Sequence, residues 1–280
     1  MPGAIQGVRR WLTKPVSALR WLSGDGYAYL TADDQRLASM QTAPRSRTWL
    51  SLMLLGVAWG IGSMWLWQGA LDLFYDVRFR TRTESAAWLA VAAVLATQGL
   101  WLYRRSFVAL GDALSGRRQP TPVLTQAILV AIWILTLLSL ERPGSEDYPY
   151  YLPGAWQWLV PAPAWFRTLI LAPVWGAWSM LVVCQFCRPC EATDPATSAL
   201  ARGCGPMTTV LCLSLPLAGS LLYFQYLGPA QTWIPAITIF GAIASGLWLC
   251  RRNGGIGRDV LLAVNLLTQL TFMLTCIAVR

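Results

Sequence analysis

The sequence predicts an all-α fold, a polytopic helical membrane protein with about seven transmembrane helices. Three observations carry this. Hydrophobic residues make up 55% of the 280-residue chain and charged residues only 12%, against about 25% charged in a typical soluble domain. Mostly apolar runs of about 20 residues recur, the length a helix needs to cross the hydrocarbon core. There are 16 Trp, a residue that concentrates at membrane–water interfaces.

The elements follow in order. Residues 1–48 are mixed and polar, with no continuous apolar stretch before Trp49, so they do not read as a cleavable signal. They read as a cytoplasmic arm, in which "GVRRWLTKPVSALRWL" can form an amphipathic helix on the membrane surface, anchored by Trp11 and Trp21. Residues 49–280 form the membrane domain. Its spans are expected at 49–70, 86–103, 123–140, 166–185, 208–227, 231–250 and 260–279. Charged turns or Pro/Gly punctuation separate them, and 104–122, 186–207 and 251–259 read as loops. "LGPAQT" (227–232) joins the fifth and sixth spans tightly and predicts an antiparallel helical hairpin. The prolines of "ERPGSEDYPYYLPGAWQWLVPAPAWF" exclude one regular helix there, and its Tyr and Trp fit an aromatic belt.

With the N-terminus inside, 16 Lys and Arg fall on inside segments and six on outside ones. The positive-inside rule favours this orientation. It also accounts for the net charge of +9, which is better read as basic cytoplasmic loops than as a nucleic-acid surface. The chain has no His, and Lys14 is its only lysine. Imidazole bases, His metal ligands and His-based triads are excluded; a lysine Schiff base is improbable and no P-loop motif occurs.

Three constellations stand out. "RRNGGIGRD" places Arg251, Arg252, Gly254, Gly255, Gly257 and Arg258 before a helix. Glycine-rich backbone at a helix N-terminus suits an anion, a phosphate or a lipid headgroup. The plainer alternative is a basic turn with Asp259 as N-cap. "CQFCRPC" spaces Cys184, Cys187 and Cys190 by three, with Cys204 further on. The first three match the start of a ferredoxin-type run, but the fourth spacing does not. Four thiolates would also suit zinc, and the plainer alternative is small apolar Cys at a helix end. Cys212, Cys250 and Cys276 fall inside spans and read as core. Asn265 and Gln269, four apart, share a helix face and fit helix–helix hydrogen bonding better than substrate binding.

Several stretches, in order along the chain, resemble the cobalamin synthases, the adenosylcobinamide-GDP ribazoletransferases. "RTLILAPVWGAWSM" (167–180) is similar to their mid-chain Ala-Leu-x-Leu-Ala-Pro run followed by Gly-Arg-Trp. "RRNGGIGRDVLLAVNLLTQL" (251–270) resembles the closing Gly-Gly-x-Thr-Gly-Asp-x-x-Gly-Ala motif. "GLWLYRRSFVALGDALSG" (99–116) falls where the family carries His-x-Asp-Gly-Leu-Ala-Asp-x-x-Asp-Gly. "RRWLTKPVSA" and "LLGVAWGIG" are weaker matches. The resemblance implies a cytoplasmic site for phosphoryl-type transfer, with Mg²⁺ if the family activity survives, in a bacterial inner membrane.

The departures fall on that chemistry. The family's His falls on Trp101, its first Asp on Tyr103, the next Gly-Leu-Ala-Asp on Arg104, Arg105, Ser106 and Phe107, and the last Asp-Gly on Leu110 and Gly111. In the closing motif Asp259 survives, while Gly257, Arg258 and Leu262 replace Thr, Gly and Gly. Ala177 stands where the mid-chain Arg is expected. Asp112 and Asp259 remain as candidate catalytic acids. Three functions are open on these residues. The chain is a non-catalytic scaffold or subunit of a membrane complex, an active ribazoletransferase using Asp112 and Asp259, or a metal- or redox-binding membrane subunit using its cysteines. Its partners would be the lipid bilayer and other subunits of such a complex.

Overall fold

A computed structural model describes residues 46–73, 75–76, 81–82, 84–95, 104–115, 122–140, 164–190, 195–202 and 204–279. The amphipathic stretch in 1–45, the aromatic loop 141–163, and Trp101 and Tyr103 lie outside the described residues. The architecture is helical: α1 (Ser46–Leu73), α2 (Glu84–Leu95), α3 (Arg104–Ser115), α4 (Pro122–Leu140), α5 (Ala164–Phe186), α6 (Pro195–Arg202), α7 (Pro206–Tyr223), α8 (Trp233–Asn253) and α9 (Arg258–Val279). A 3₁₀ segment, Gln225–Thr232, links α7 to α8. Between α1 and α2 the all-α expectation meets one exception, a short antiparallel ladder pairing Tyr75 with Arg82 and Asp76 with Thr81.

Four helical stretches are long and apolar enough to cross a membrane: Phe166–Phe186, Pro206–Tyr223, Leu227–Asn253 and Arg258–Val279. They coincide with the last four expected spans. Leu52–Trp67 and Thr125–Leu140 are shorter apolar helices, so among the described residues four helices are long and apolar enough to span. Two expected loops also contain helices, α3 within 104–122 and α6 within 186–207.

Helix α5 is the centre. Every residue from Phe166 to Val183 is buried, as a helix apolar on all sides requires. Helices α1, α7, α8 and α9 pack around it. Helix α1 presents Leu52, Met53, Gly56, Gly60, Ser63 and Trp67, buried at intervals of three and four, and leaves Leu50, Leu54 and Trp65 outward. Helix α7 buries only the stripe Cys212, Pro216, Ser220 and exposes Met207, Val210, Leu211 and Leu215. Such an apolar exterior is what lipid solvates. The expected α7–α8 hairpin has a tight connection, with Gly228 at φ 59°. The two helices nevertheless spend their contacts separately, α7 mainly on α5 and α8 mainly on α9.

Lipid gives no hydrophobic drive for helices to associate, so small residues that admit close backbone approach carry the packing. Gly56 and Gly60 form such a small-xxx-small pair. A Cβ on Gly60 would lie 2.7 Å from Ile170 Cα, and one on Gly56 would lie 3.0 Å from the Pro173 carbonyl oxygen. On α5 itself, a Cβ on Gly176 would lie 2.8 Å from Asn265 Oδ1 and 2.9 Å from Gln269 Cγ. The two amides share one face as their spacing predicts. Gln269 donates to Asn265 Oδ1 at 2.6 Å, and Asn265 reaches Met180 Sδ on α5 at 3.8 Å.

Polar side chains of α5 close the ends of its neighbours. Trp175 Nε1 donates to Ser220 Oγ at 3.0 Å and Trp178 Nε1 to the Thr209 carbonyl at 3.1 Å, both on α7. Arg167, counted among outside-loop charges in the sequence, lies inside the first turn of α5 and is only 1% exposed. Its Nη1 donates to the Tyr223 carbonyl at 3.0 Å. A cation there meets the negative end of the α7 dipole.

Gly60→Ala should destabilise the protein by about 1–3 kcal/mol, the usual range for overpacking against a backbone that cannot yield. Gly62 has nothing within 4 Å of its would-be Cβ, so Gly62→Ala should leave stability unchanged or raise it. Thermal unfolding of both variants in the same detergent checks the contrast.

Candidate functional site at the arginine-rich end of the bundle

The sequence motifs meet where α5 and α8 end and where α3 and α9 begin. Gly254 adopts a left-handed conformation (φ 75°) that stops α8, and its N–H returns to the Cys250 carbonyl. Gly255 N–H joins it on the same oxygen at 2.9 Å, the pattern of a glycine-terminated helix. The chain then pairs with the segment leaving α5. Ile256 N–H donates to the Arg188 carbonyl at 2.8 Å, and Cys190 N–H donates to the Ile256 carbonyl at 3.0 Å. These bonds form a parallel bridge between Pro189 and Ile256. Gly255 (φ 136°) is required on two counts, because any Cβ there would fall 2.7 Å from the Arg188 carbonyl oxygen. "CQFCRPC" and "RRNGGIGRD", separate in the sequence, are thus stitched together by backbone.

Helix α9 begins at Arg258, and the Gly257 carbonyl accepts the N–H of Leu261 at 3.1 Å. Gly257 is therefore the N-cap, and Asp259 sits one residue inside the helix rather than at the cap. Asp259 is held by α3: Arg105 Nε donates to its Oδ1 and Nη2 to its Oδ2, both at 3.0 Å. This fork uses both carboxylate oxygens in the geometry that suits guanidinium best. About half of each side chain is exposed, 49% for Arg105 and 53% for Asp259.

The other arginines crowd the same end. Arg251 and Arg252 occupy the last turn of α8, where cations complement the helix dipole. Arg252 also lies over the Trp248 ring at 5.5 Å. Arg258 is mostly buried, and Arg188 is exposed. Of the residues expected to hold an anion, Gly254 and Gly255 commit their N–H groups to the Cys250 carbonyl. The exposed arginines of this end are Arg251 and Arg252 in the last turn of α8, while Arg258 is buried at the start of α9.

Asp112 is exposed on α3, seven residues beyond Arg105 and so on the same face two turns on, about 10 Å along the axis. Two carboxylates that share one Mg²⁺ must bring their oxygens within about 2.1 Å of the ion. Asp259 already faces a guanidinium. Among the described residues no group of three or more His, Cys, Asp or Glu is placed to hold a metal ion. The Asp259 carboxylate, already met by the Arg105 guanidinium, is poorly matched to the divalent cation that the sequence resemblance implied.

Packing accounts for the apolar residues at positions where the resemblance led one to expect others. Phe107 is buried edge-to-face against Trp133 of α4, with centroids 5.6 Å apart, and Leu110 is fully buried. Ala177 and Leu262 are buried as well. Each of these positions is occupied by core in this chain.

The cysteines form a looser group. Cys204 Sγ accepts from Gln185 Nε2 at 3.1 Å, donates to the Leu181 carbonyl at 3.4 Å, and lies 3.5 Å from Thr209 Oγ1. Cys184 lies close to Cys204 and Cys187. Cys190 belongs instead to the Gly257 turn, its Sγ 4.0 Å from a would-be Cβ there. Cys250 was not among the expected ligands, yet it is near Cys187 and Cys184. Its place inside an apolar span hid it.

The fold and this site define a polytopic helical membrane protein with a basic face at one end. The sequence model of the family described as cobalamin-5-phosphate synthase matches residues 149–277, which include both the 167–180 and 251–270 motifs. Over that segment, somewhat under half of the chain, the protein is similar to the cobalamin synthase family. No curated protein and no solved structure matches the chain.

The Arg105–Asp259 pair should behave as an exposed ion pair, contributing roughly 0.2–1 kcal/mol, at the upper end because it is bidentate. Arg105→Asp should cost more than Arg105→Gln, because it sets two carboxylates face to face. The exchange Arg105→Asp with Asp259→Arg should recover most of that loss. A double-mutant cycle read by thermal unfolding checks the sign.

Proposed function

We propose that this chain is a cobalamin synthase-like membrane protein that binds phosphate-bearing ligands at its basic end without catalysing the family's transfer. It would serve as a scaffold or binding subunit of a membrane complex. The observation that carries this is the Arg105 fork on Asp259. Phosphoryl-type transfer in a Mg²⁺ site relies on carboxylates that hold the cation and so offset phosphate charge. Here the carboxylate is matched by a guanidinium from the same chain, and the exposed charge of Arg188, Arg251 and Arg252 favours an anion. Two like unit charges about 4 Å apart repel by roughly 4 kcal/mol at an effective dielectric of 20. A divalent cation brought to Asp259 would meet Arg105 at such a range.

In this proposal residues 1–48 are a cytoplasmic arm, 49–280 the membrane domain, and the basic end faces the cytoplasm of a bacterium across its inner membrane. The arginine distribution supports that orientation. Cysteines introduced at Ser115 and Ser145 should label from opposite sides; equal labelling from outside would reject the topology.

The decisive assay supplies α-ribazole phosphate, adenosylcobinamide-GDP and Mg²⁺ to the purified protein. Product formation should not exceed background, while Arg105→Gln and Arg251→Gln should each weaken binding of the phosphate-bearing substrate several-fold. Turnover that disappears in both Asp112→Asn and Asp259→Asn would establish an active ribazoletransferase instead.

A further inference from the structure

Helices α5 and α8 run in the same direction, since both lie antiparallel to α9. On α5, Gly176 faces Asn265, and just past its end Arg188 meets Ile256, just before α9; on α8, Gly241 faces Thr271. They approach closely at Gly246, whose would-be Cβ falls on the Cγ2 of Val183. One helical turn further along each helix stand Cys250 and Cys187, because Cys250 is Gly246 plus four and Cys187 is Val183 plus four. The Cys187 N–H still returns to the Val183 carbonyl at 3.0 Å, so the α5 geometry extends to that residue. The two thiols are neighbours at this end of the bundle. Cys250 is buried, and Cys187 is partly open. Both are free thiols, as are the other five cysteines.

We propose that Cys187 and Cys250 form a reversible dithiol–disulfide pair, a redox-operated staple between the ends of α5 and α8. The glycine contact one turn back brings the two backbones close enough for the short span that a disulfide demands. The difference in exposure sets the order of events. The Cys187 thiolate attacks a small exogenous disulfide, forms a mixed disulfide and releases one thiolate. The buried Cys250 thiol then attacks the Cys187 sulfur and forms the internal S–S bond, its proton passing to the second thiolate as that group departs. Two protein thiols are oxidised and one external disulfide is reduced to two thiols, so electrons and protons balance. The bond would lie directly beneath the pairing of Arg188–Cys190 with Gly255–Ile256 that positions Arg258 and Asp259. Oxidation would therefore lock the two segments that frame the basic end. This holds whether or not the anion-binding proposal is right, because its readout is covalent.

The test uses the full chain in detergent, treated with oxidised glutathione, alkylated under denaturing conditions and mapped by peptide mass. The expected result is the loss of two of the seven titratable thiols, a linked Cys187–Cys250 peptide, and recovery of all seven after reduction. Cys250→Ser should retain a glutathione adduct on Cys187, and Cys187→Ser should leave Cys250 reduced. Because the linked peptide is sought in the unmodified chain, failure of either variant to fold does not blunt the test. Cys187 linked to Cys184 or Cys204, a glutathione adduct that never resolves in the unmodified chain, or both thiols remaining free would overturn the proposal.

Discussion

Gly60 on α1 meets the backbone of Ile170 on α5, and the rest of the bundle is arranged around that kind of approach. A helix buried from Phe166 to Val183 has no lipid-facing side. It must therefore be enclosed by neighbours at van der Waals distance, since lipid tails compete equally for its apolar surface. Small residues are the means. Gly56 and Gly60 bring in α1, Gly246 brings in α8, and Gly176 of α5 itself leaves room for the Asn265–Gln269 pair of α9. A side chain at any of these positions would hold a helix away and open voids along α5.

Close packing alone does not determine register, because apolar helices can slide. Directional bonds fix it. The indole N–H groups of Trp175 and Trp178 bond Ser220 and Thr209 on α7, and Arg167 bonds the carbonyl of Tyr223 where α7 ends. Gln269 and Asn265 make the matching polar contact toward α9. With α5 and α9 held in register, the chain emerging from one lies beside the chain entering the other. The Pro189–Ile256 bridge follows, and with it the placement of Arg258 and Asp259.

The last four spans were legible in the sequence because each is an apolar run of about the length the hydrocarbon core requires. Helices α3 and α6 were not, since a short helix with one polar face has the same charges and glycines as a loop. Arg167 was misplaced for a related reason: a charge at a span's edge reads as loop until a carbonyl is seen to receive it. The Gly56–Gly60 spacing was a usable signal, and it names the α1 face that meets α5. The site was less legible. Arg105 and Asp259 are 154 residues apart, and no local pattern announces a pair that only the α3–α9 contact creates. Cys250 was hidden by its apolar surroundings, although its four-residue offset from Gly246 matches that of Cys187 from Val183.

The composition of α3 ties these levels together. Its outward stripe carries Arg105 and Asp112, and its inward stripe carries Ser106, Phe107 and Leu110. An acid at position 107 would replace a ring packed on Trp133, and one at 110 would enter a fully buried place. Each would bury an ionised carboxylate that the surrounding core is not built to pair, a cost that ordinarily forces such a group to neutralise. The core between α3, α4 and α9 thus excludes carboxylates from these inward positions of the helix. Only the outward stripe can carry charge, and there the guanidinium of Arg105 closes on the acid that α9 presents. The same helix rotation that makes α3 a packing element turns Asp259 from a free carboxylate into half of an ion pair.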